Sequence, residues 1–238
     1  MPSLDISDLL PRFPHFRVAF VVLDGQGFAP ERSNSLDKFV AAAEADCRAR
    51  WSGMELSAIP GVAAWRSAYK GFGIKSTSYR SSVERLAKRV LAGDALPRIN
   101  AFVDLYNAIS LSHVLCVGAD DLDRTTGDLA FRFARDGDTF LDMAPIEGLP
   151  AEQPPKAGEV VYADEAHVLC RRWNWRQDAR TIVTPQTQSI VLTIQSNDWG
   201  SVEDAADALC MRAAADLDMN ARWKVADAHA PVATINDF

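Results

Sequence analysis

Apolar and polar positions follow two different rhythms along this chain, and the change falls near Ser112. Before it, apolar residues recur mainly at helical spacing; after it, they fall into short alternating segments. Val18 to Leu23 is a β-branched apolar run closed by Asp24-Gly25-Gln26-Gly27, which predicts a buried strand and a turn. Leu36 to Trp51, alanine-rich with interspersed charges and Asn34 or Ser35 as cap, predicts a helix. Trp65 to Tyr69 reads as a short helical piece before the loop Gly71-Phe72-Gly73. Ser81 to Leu91 carries the stripe Val83, Leu86, Ala87, Val90, Leu91, with Glu84, Arg85, Lys88 and Arg89 facing away. Gly93-Asp94 and Pro97 end it. Asn100 to Leu111 is apolar around most of its surface and predicts a central buried helix. Asn100 is its cap, and Asp104 and Asn107 are its polar exceptions.

Downstream, His113 to Gly118, Leu129 to Ala134, Val160 to Ala163, His167 to Arg171, Thr181 to Thr184 and Ser189 to Ile194 read as strands. Turns at Thr126-Gly127-Asp128, Asp136-Gly137-Asp138 and Lys156-Ala157-Gly158 separate them. Ser201 to Asp218 is a closing helix with Val202, Ala205, Ala206, Leu209 and Ala213 inward. Its first turn carries Glu203 and Asp204, which complement the helix dipole. Ala226 to Phe238 reads as a frayed tail. With no repeat and no long linker, the economical expectation is one α+β domain: a strand-rich core with packed helices.

A chain of 238 residues, 48% of them hydrophobic, can bury one substantial core. Its net charge of -7 opposes nonspecific attraction to nucleic acid, though a local basic face can still operate. Apolar runs are too short to cross a bilayer, and the start, MPSLDISDLLPRF, lacks a signal-peptide pattern, so the expected location is the cytoplasm, with no membrane partner. The cysteines at 47, 116, 170 and 210 form no close pair, so neither a zinc site nor any other metal or cofactor is expected. Asp120, Asp121 and Asp123 lack the regular ligand spacing of a calcium loop.

Three clusters carry candidate chemistry. Asp104 and Asn107 lie three apart on one helix face, either lining a pocket or fixing a neighbouring loop. In Arg171-Arg172-Trp173-Asn174-Trp175-Arg176-Gln177, five of seven residues are arginine or tryptophan. Guanidinium forks suit phosphate, so Arg171, Arg172 and Arg176 are candidate phosphate ligands, and Trp173 and Trp175 are candidate stacking platforms. The same residues would also serve as a packed loop anchor with its arginines paired to nearby acids. Lys75, Arg80, Arg85, Lys88, Arg89 and Arg98 stand against only Glu84 and Asp94. That pattern fits a face tracking a nucleic-acid backbone or an ordinary solvated helix face. Ser76, Thr77 and Ser78 add hydroxyls within reach of a phosphate.

Leu96-Pro97-Arg98-Ile99-Asn100 through Asn107, followed by Gly118-Ala119-Asp120-Asp121-Leu122-Asp123, resembles the B3/B4 domain of the phenylalanyl-tRNA synthetase β subunit. Leu129 to Gly137, Gly158 to Asp164 (GEVVYAD) and Thr184 to Ile194 continue the likeness in order. The resemblance implies a freestanding B3/B4-like domain over residues 15–218, with an N-terminal extension at 1–14 and a C-terminal tail at 219–238. It further implies a tRNA or aminoacyl-tRNA partner and hydrolysis of mischarged aminoacyl-tRNA in trans. In that family a histidine sits beside the acidic motif and a glutamate on the last pocket strand; here the matching places read Cys116 to Asp120 and Thr193. A threonine hydroxyl cannot bind an ammonium by charge. The pocket expected from the resemblance draws on Asp104, Asn107, Gly118, Asn174 and Thr193, with no catalytic residue assignable. The alternatives are a noncatalytic module for a free amino acid, another small ligand or tRNA, and a structural interaction protein.

Overall fold

The computed structural model describes residues 2–75, 79–145, 147–148 and 150–235. In chain order its elements are β1 (Ser3–Asp5), β2 (Phe16–Asp24), α1 (Asn34–Trp51), α2 (Pro60–Gly71), α3 (Ser82–Leu91), α4 (Ala101–His113), β3 (Cys116–Asp121), β4 (Leu129–Phe133), β5 (Val160–Ala163), β6 (Val168–Arg171), β7 (Arg176–Gln177), β8 (Ser189–Asn197), α5 (Val202–Leu217), β9 (Asn220–Ala226) and β10 (Val232–Thr234). This is the mixed α+β architecture expected, with packed helices around strands.

Helix starts follow their capping residues. Ser33, one position before the expected cap, accepts from the Leu36 amide at 3.1 Å. Ser81, Asn100 and Ser201 accept from the amides of Glu84, Val103 and Asp204. Each such cap contributes about 1 kcal/mol. The helix around Trp65 is longer than its apolar pattern suggests, because Pro60 occupies a first-turn position where its missing N–H costs nothing.

A four-stranded antiparallel sheet of order β3-β8-β2-β9 separates two cores. Ala19, Val21 and Leu23 of β2 and Ile190, Leu192 and Ile194 of β8 face the core shared with α1, α4 and α5. Their alternates Phe16, Val18, Phe20, Val22 and Val191 face a second core with Val62 and Trp65 of α2. Burial on both faces explains why β2 reads as a continuous apolar run rather than an alternating one. The six-stranded sheet, β10-β1-β4-β5-β6-β7, lies beyond this second core, with β1 parallel to β4 and its other pairs antiparallel.

Both chain ends depart from the expected extension and frayed tail. β1 joins β10 and β4, and β9 pairs along β2 from Val18↔Ala226 to Asp24↔Asn220. The tail therefore supplies an edge strand to each sheet, β9 and β10; its last three residues lie outside those described. Thr181 to Thr184 forms no strand; instead Thr181 accepts a hydrogen bond from the Asp121 amide and so covers the edge of β3.

Candidate functional site

The cavity at the junction of the two sheets has a volume of about 690 Å³. Its walls come from α3, α4, β3, β8 and the loop that contains Asn174 and Trp175. Pairing of Gly118 with Thr193 and of Cys116 with Gln195 puts these positions on one face of the central sheet, where Gly118, Thr193 and Gln195 line the floor. Asn107 faces the cavity from α4. Among the described residues, no atom beyond the two chain neighbours lies within 4 Å of where a Cβ at Gly118 would stand, so this position opens into free space.

A chain of hydrogen bonds orders the floor. Tyr69 Oη donates to Asn174 Oδ1 at 2.8 Å, Asn174 Nδ2 to Gln195 Oε1 at 3.1 Å, and Gln195 Nε2 to Thr193 Oγ1 at 3.0 Å. Each member fixes the next, leaving the Thr193 hydroxyl hydrogen available to a ligand. Beside this chain, Asp120 is 3% exposed. Its Oδ1 accepts from Thr181 Oγ1 at 2.6 Å and Gln177 Nε2 at 3.0 Å. Burial pushes its pKa up to about 7; those two hydrogen bonds oppose the rise, while Asp178 and Asp164 add to it. Gln177 Nε2 also donates to the Ala119 carbonyl at 2.6 Å, along the open edge of β3. The N–H and C=O of one residue point the same way in an antiparallel strand, so the Ala119 amide faces that edge too.

Cations surround the mouth. Arg85, Lys88 and Arg89 of α3 are exposed there. Desolvation by burial, and then the nearby Arg176, lower the pKa of Arg85, whose guanidinium donates to the Trp175 carbonyl at 3.2 Å. Arg80 reaches the same cavity while paired with Glu84 at 3.2 Å. Arg176 also lines it, held by Asp142 at 3.3 Å and by the Ala144 carbonyl. Trp175 forms an aromatic wall, packed against Tyr79 with ring centroids 5.0 Å apart.

Several candidates from the sequence lie elsewhere. Asp104 does not line the cavity: its carboxylate accepts from Arg32 Nε at 2.6 Å and the Ile99 amide at 2.9 Å, fixing the approach to α4. Arg171 is buried in a two-pronged pair with Glu159, at 2.8 and 3.0 Å, and has no fork left for phosphate. Arg172 lies behind the wall, its guanidinium 3.9 Å from the Tyr79 ring centroid and 4.4 Å from that of Trp175. Trp173 is fully buried against Phe13, Phe16, Trp65 and Phe72, so it anchors the loop and is not a stacking surface. Composition alone could not separate two tryptophans two positions apart. Lys75 borders a separate cavity of about 400 Å³ with Arg66 and Lys70. Ser76, Thr77 and Ser78 lie outside the described residues.

Asp120, Gln177, Tyr162 and Gln195 are the residues the sequence reading missed. Two carried a signal: Gln195 shares the strand face of Thr193, and Asp120 that of Gly118. The family model described as the B3/4 domain matches residues 64–221, two-thirds of the chain and every cavity wall named above. The chain belongs to the B3/4 domain family. Among solved structures, an N-terminal fragment of the phenylalanyl-tRNA synthetase β subunit from Pyrococcus horikoshii is similar at 12% identity and a TM-score of 0.45. That similarity covers 93% of this chain and 50% of the other, so this B3/4 chain spans about half its length. No match was found among curated proteins. Among the described residues, no group of His, Cys, Asp or Glu is placed to hold a metal ion, and no helix is long and apolar enough to cross a membrane.

Proposed function

We propose that the cavity receives the aminoacylated 3′ end of a tRNA and that the ester is hydrolysed there by water. The observation that carries this reading is the division of the cavity into a cationic mouth and a polar floor. Arg85, Lys88 and Arg89 suit the terminal phosphates, and Trp175 suits a base or an aromatic side chain. Tyr106, Val103, Leu86 and Val117 offer apolar surface to the amino-acid side chain. Membership of the B3/4 family supports the same direction.

Hydrolysis by this site would not use a covalent cysteine. Cys170 lines the cavity, but burial pushes its thiol pKa far up, chiefly by desolvation and then through Asp120. A neutral thiol is a poor nucleophile. Water is instead the attacking group, and the protein holds the ester and donates hydrogen bonds to the oxyanion as it forms. The Thr193 hydroxyl, the Asn107 amide and the Ala119 backbone N–H are the donors available for that work.

The test is a single-turnover deacylation screen across tRNAs charged with each amino acid, paired with filter binding at several salt concentrations. Hydrolysis of a subset, faster than the spontaneous rate, is expected. Substituting Arg85 and Lys88 together by alanine should weaken binding and reduce the salt slope by about 0.7 per lost phosphate contact on a single strand. Binding without hydrolysis would leave an aminoacyl-tRNA binding module. The absence of both would remove the tRNA reading in favour of a small-ligand or structural role.

A further inference from the structure

The other buried carboxylates among the described residues have a basic partner. Glu84 has Arg66, Asp104 has Arg32, Glu159 has Arg171 and Asp178 has Arg180. Asp121, Asp142 and Asp164 face Arg124, Arg176 and His167. Asp120 is the exception: no basic group stands within ion-pair distance of it among the described residues. Both of its protein donors converge on Oδ1, and no described group donates to Oδ2. The residue lines the cavity and is itself only 3% exposed. The Tyr162 hydroxyl, buried on the same wall, also has no partner among the described residues.

A carboxylate with an unfilled oxygen, buried beside a cavity and lacking a counter-ion, is complementary to a cation that carries its own hydrogen-bond donors. The cations of this cavity, by contrast, gather at its exposed mouth. We propose that Asp120 anchors a protonated primary amine, so that the cavity selects a bipolar ligand with phosphate at its mouth and an ammonium at its floor. This rests on the reading of the cavity as an aminoacyl-end site and adds the requirement that the α-amine be free. It also places the ammonium-binding carboxylate on β3, beside the strand where Thr193 lacks the charge for that role.

The experiment uses 3′-aminoacylamino-3′-deoxyadenosine 5′-phosphates with different side chains, which carry an amide in place of the labile ester, and their N-acetyl counterparts. Calorimetry on the wild-type chain should show the acetylated form of the tightest binder weakened by roughly 10- to 100-fold, the worth of one charge-assisted hydrogen bond. Asp120→Asn keeps the shape and the Oδ1 acceptor, so it should lose the same factor for the free amine and leave the acetylated form unchanged. Thr193→Val should preserve the difference between the two forms. Equal affinity for free and blocked amines in the wild type would overturn the inference without relying on any variant. If charged tRNAs bind but the analogues do not discriminate or do not bind, the anchor is refuted and the site reading survives. If neither class binds, both fall together.

Discussion

Replacing Trp173 by alanine separates an anchor from a stacking platform. The indole is 0% exposed, with ring centroids 4.7 Å from Phe13, 4.8 Å from Phe16, 5.3 Å from Trp65 and 6.0 Å from Phe72. Truncation removes the largest side chain from the middle of an aromatic cluster joining the first segment, α2 and the cavity loop. Such a change costs about 3–5 kcal/mol, and the surrounding edge-to-face pairs place this case toward the upper end. Trp173→Phe behaves differently. It gives up part of the ring, yet it also removes an indole N–H that is buried without an acceptor. Stranding such a donor costs about 1–3 kcal/mol, so the phenylalanine variant should lie within about 2 kcal/mol of the wild type. Urea unfolding followed by far-UV circular dichroism measures both, with an unchanged slope as the check that only stability has moved. An alanine variant within about 1 kcal/mol of the wild type, but defective in ligand binding, would refute the anchor argument and return this ring to the ligand.

Glu159→Ala should cost about 3–5 kcal/mol in the same assay, because it leaves Arg171 buried and unpaired, whereas replacing both partners by methionine should recover most of the loss. Gly118→Val should leave stability within about 1 kcal/mol of the wild type and abolish ligand binding, since its side chain would project into open cavity space. The Asp120 pKa is raised to about 7 from an ordinary value near 3.8, so between those limits the folded chain binds more protons than the unfolded one and stability through this group rises as pH falls. Unfolding at pH 5 and pH 8 should therefore show the wild type gaining on Asp120→Asn at the lower pH; the groups that face this carboxyl, Asp164, Asp178, Tyr106, Tyr162 and Cys170, are common to both proteins.

A capped apolar stripe located α3 and α5, while alanine content with a cap located α1 and apolarity around most of its surface located α4. β9 was legible but went unread: Asn220–Ala226 alternates Asn220, Arg222 and Lys224 with Ala221, Trp223 and Val225, the period of a half-exposed strand, and it pairs along β2. β1 and β10 are three residues each, too short for any period to register. Asn107, Gly118, Asn174 and Thr193 were picked out by the family resemblance, together with the placing of polar residues within otherwise apolar elements. Asp120 looked like part of an acidic turn until Gln177 and Thr181, 57 and 61 positions away, were seen to hold it at the cavity wall. For Arg171 and Trp173 the choice between ligand contact and loop anchor stayed open because local composition says nothing about burial.

The two-sided burial of β8 carries a further consequence for how this chain protects its own pairing. Ile190, Leu192 and Ile194 face the helices, while Val191, Thr193 and Gln195 face the other core and the cavity. The helix-facing side is wholly apolar and the other side mixed, so a slip of one residue, which exchanges the faces, is opposed by the polar members of the second side. Such a slip would drive Thr193 and Gln195 into a helical core with no hydrogen-bonding partner. The groups that await a ligand thus also act as the strand's alignment marks, and converting both to aliphatic residues would erase recognition and register together.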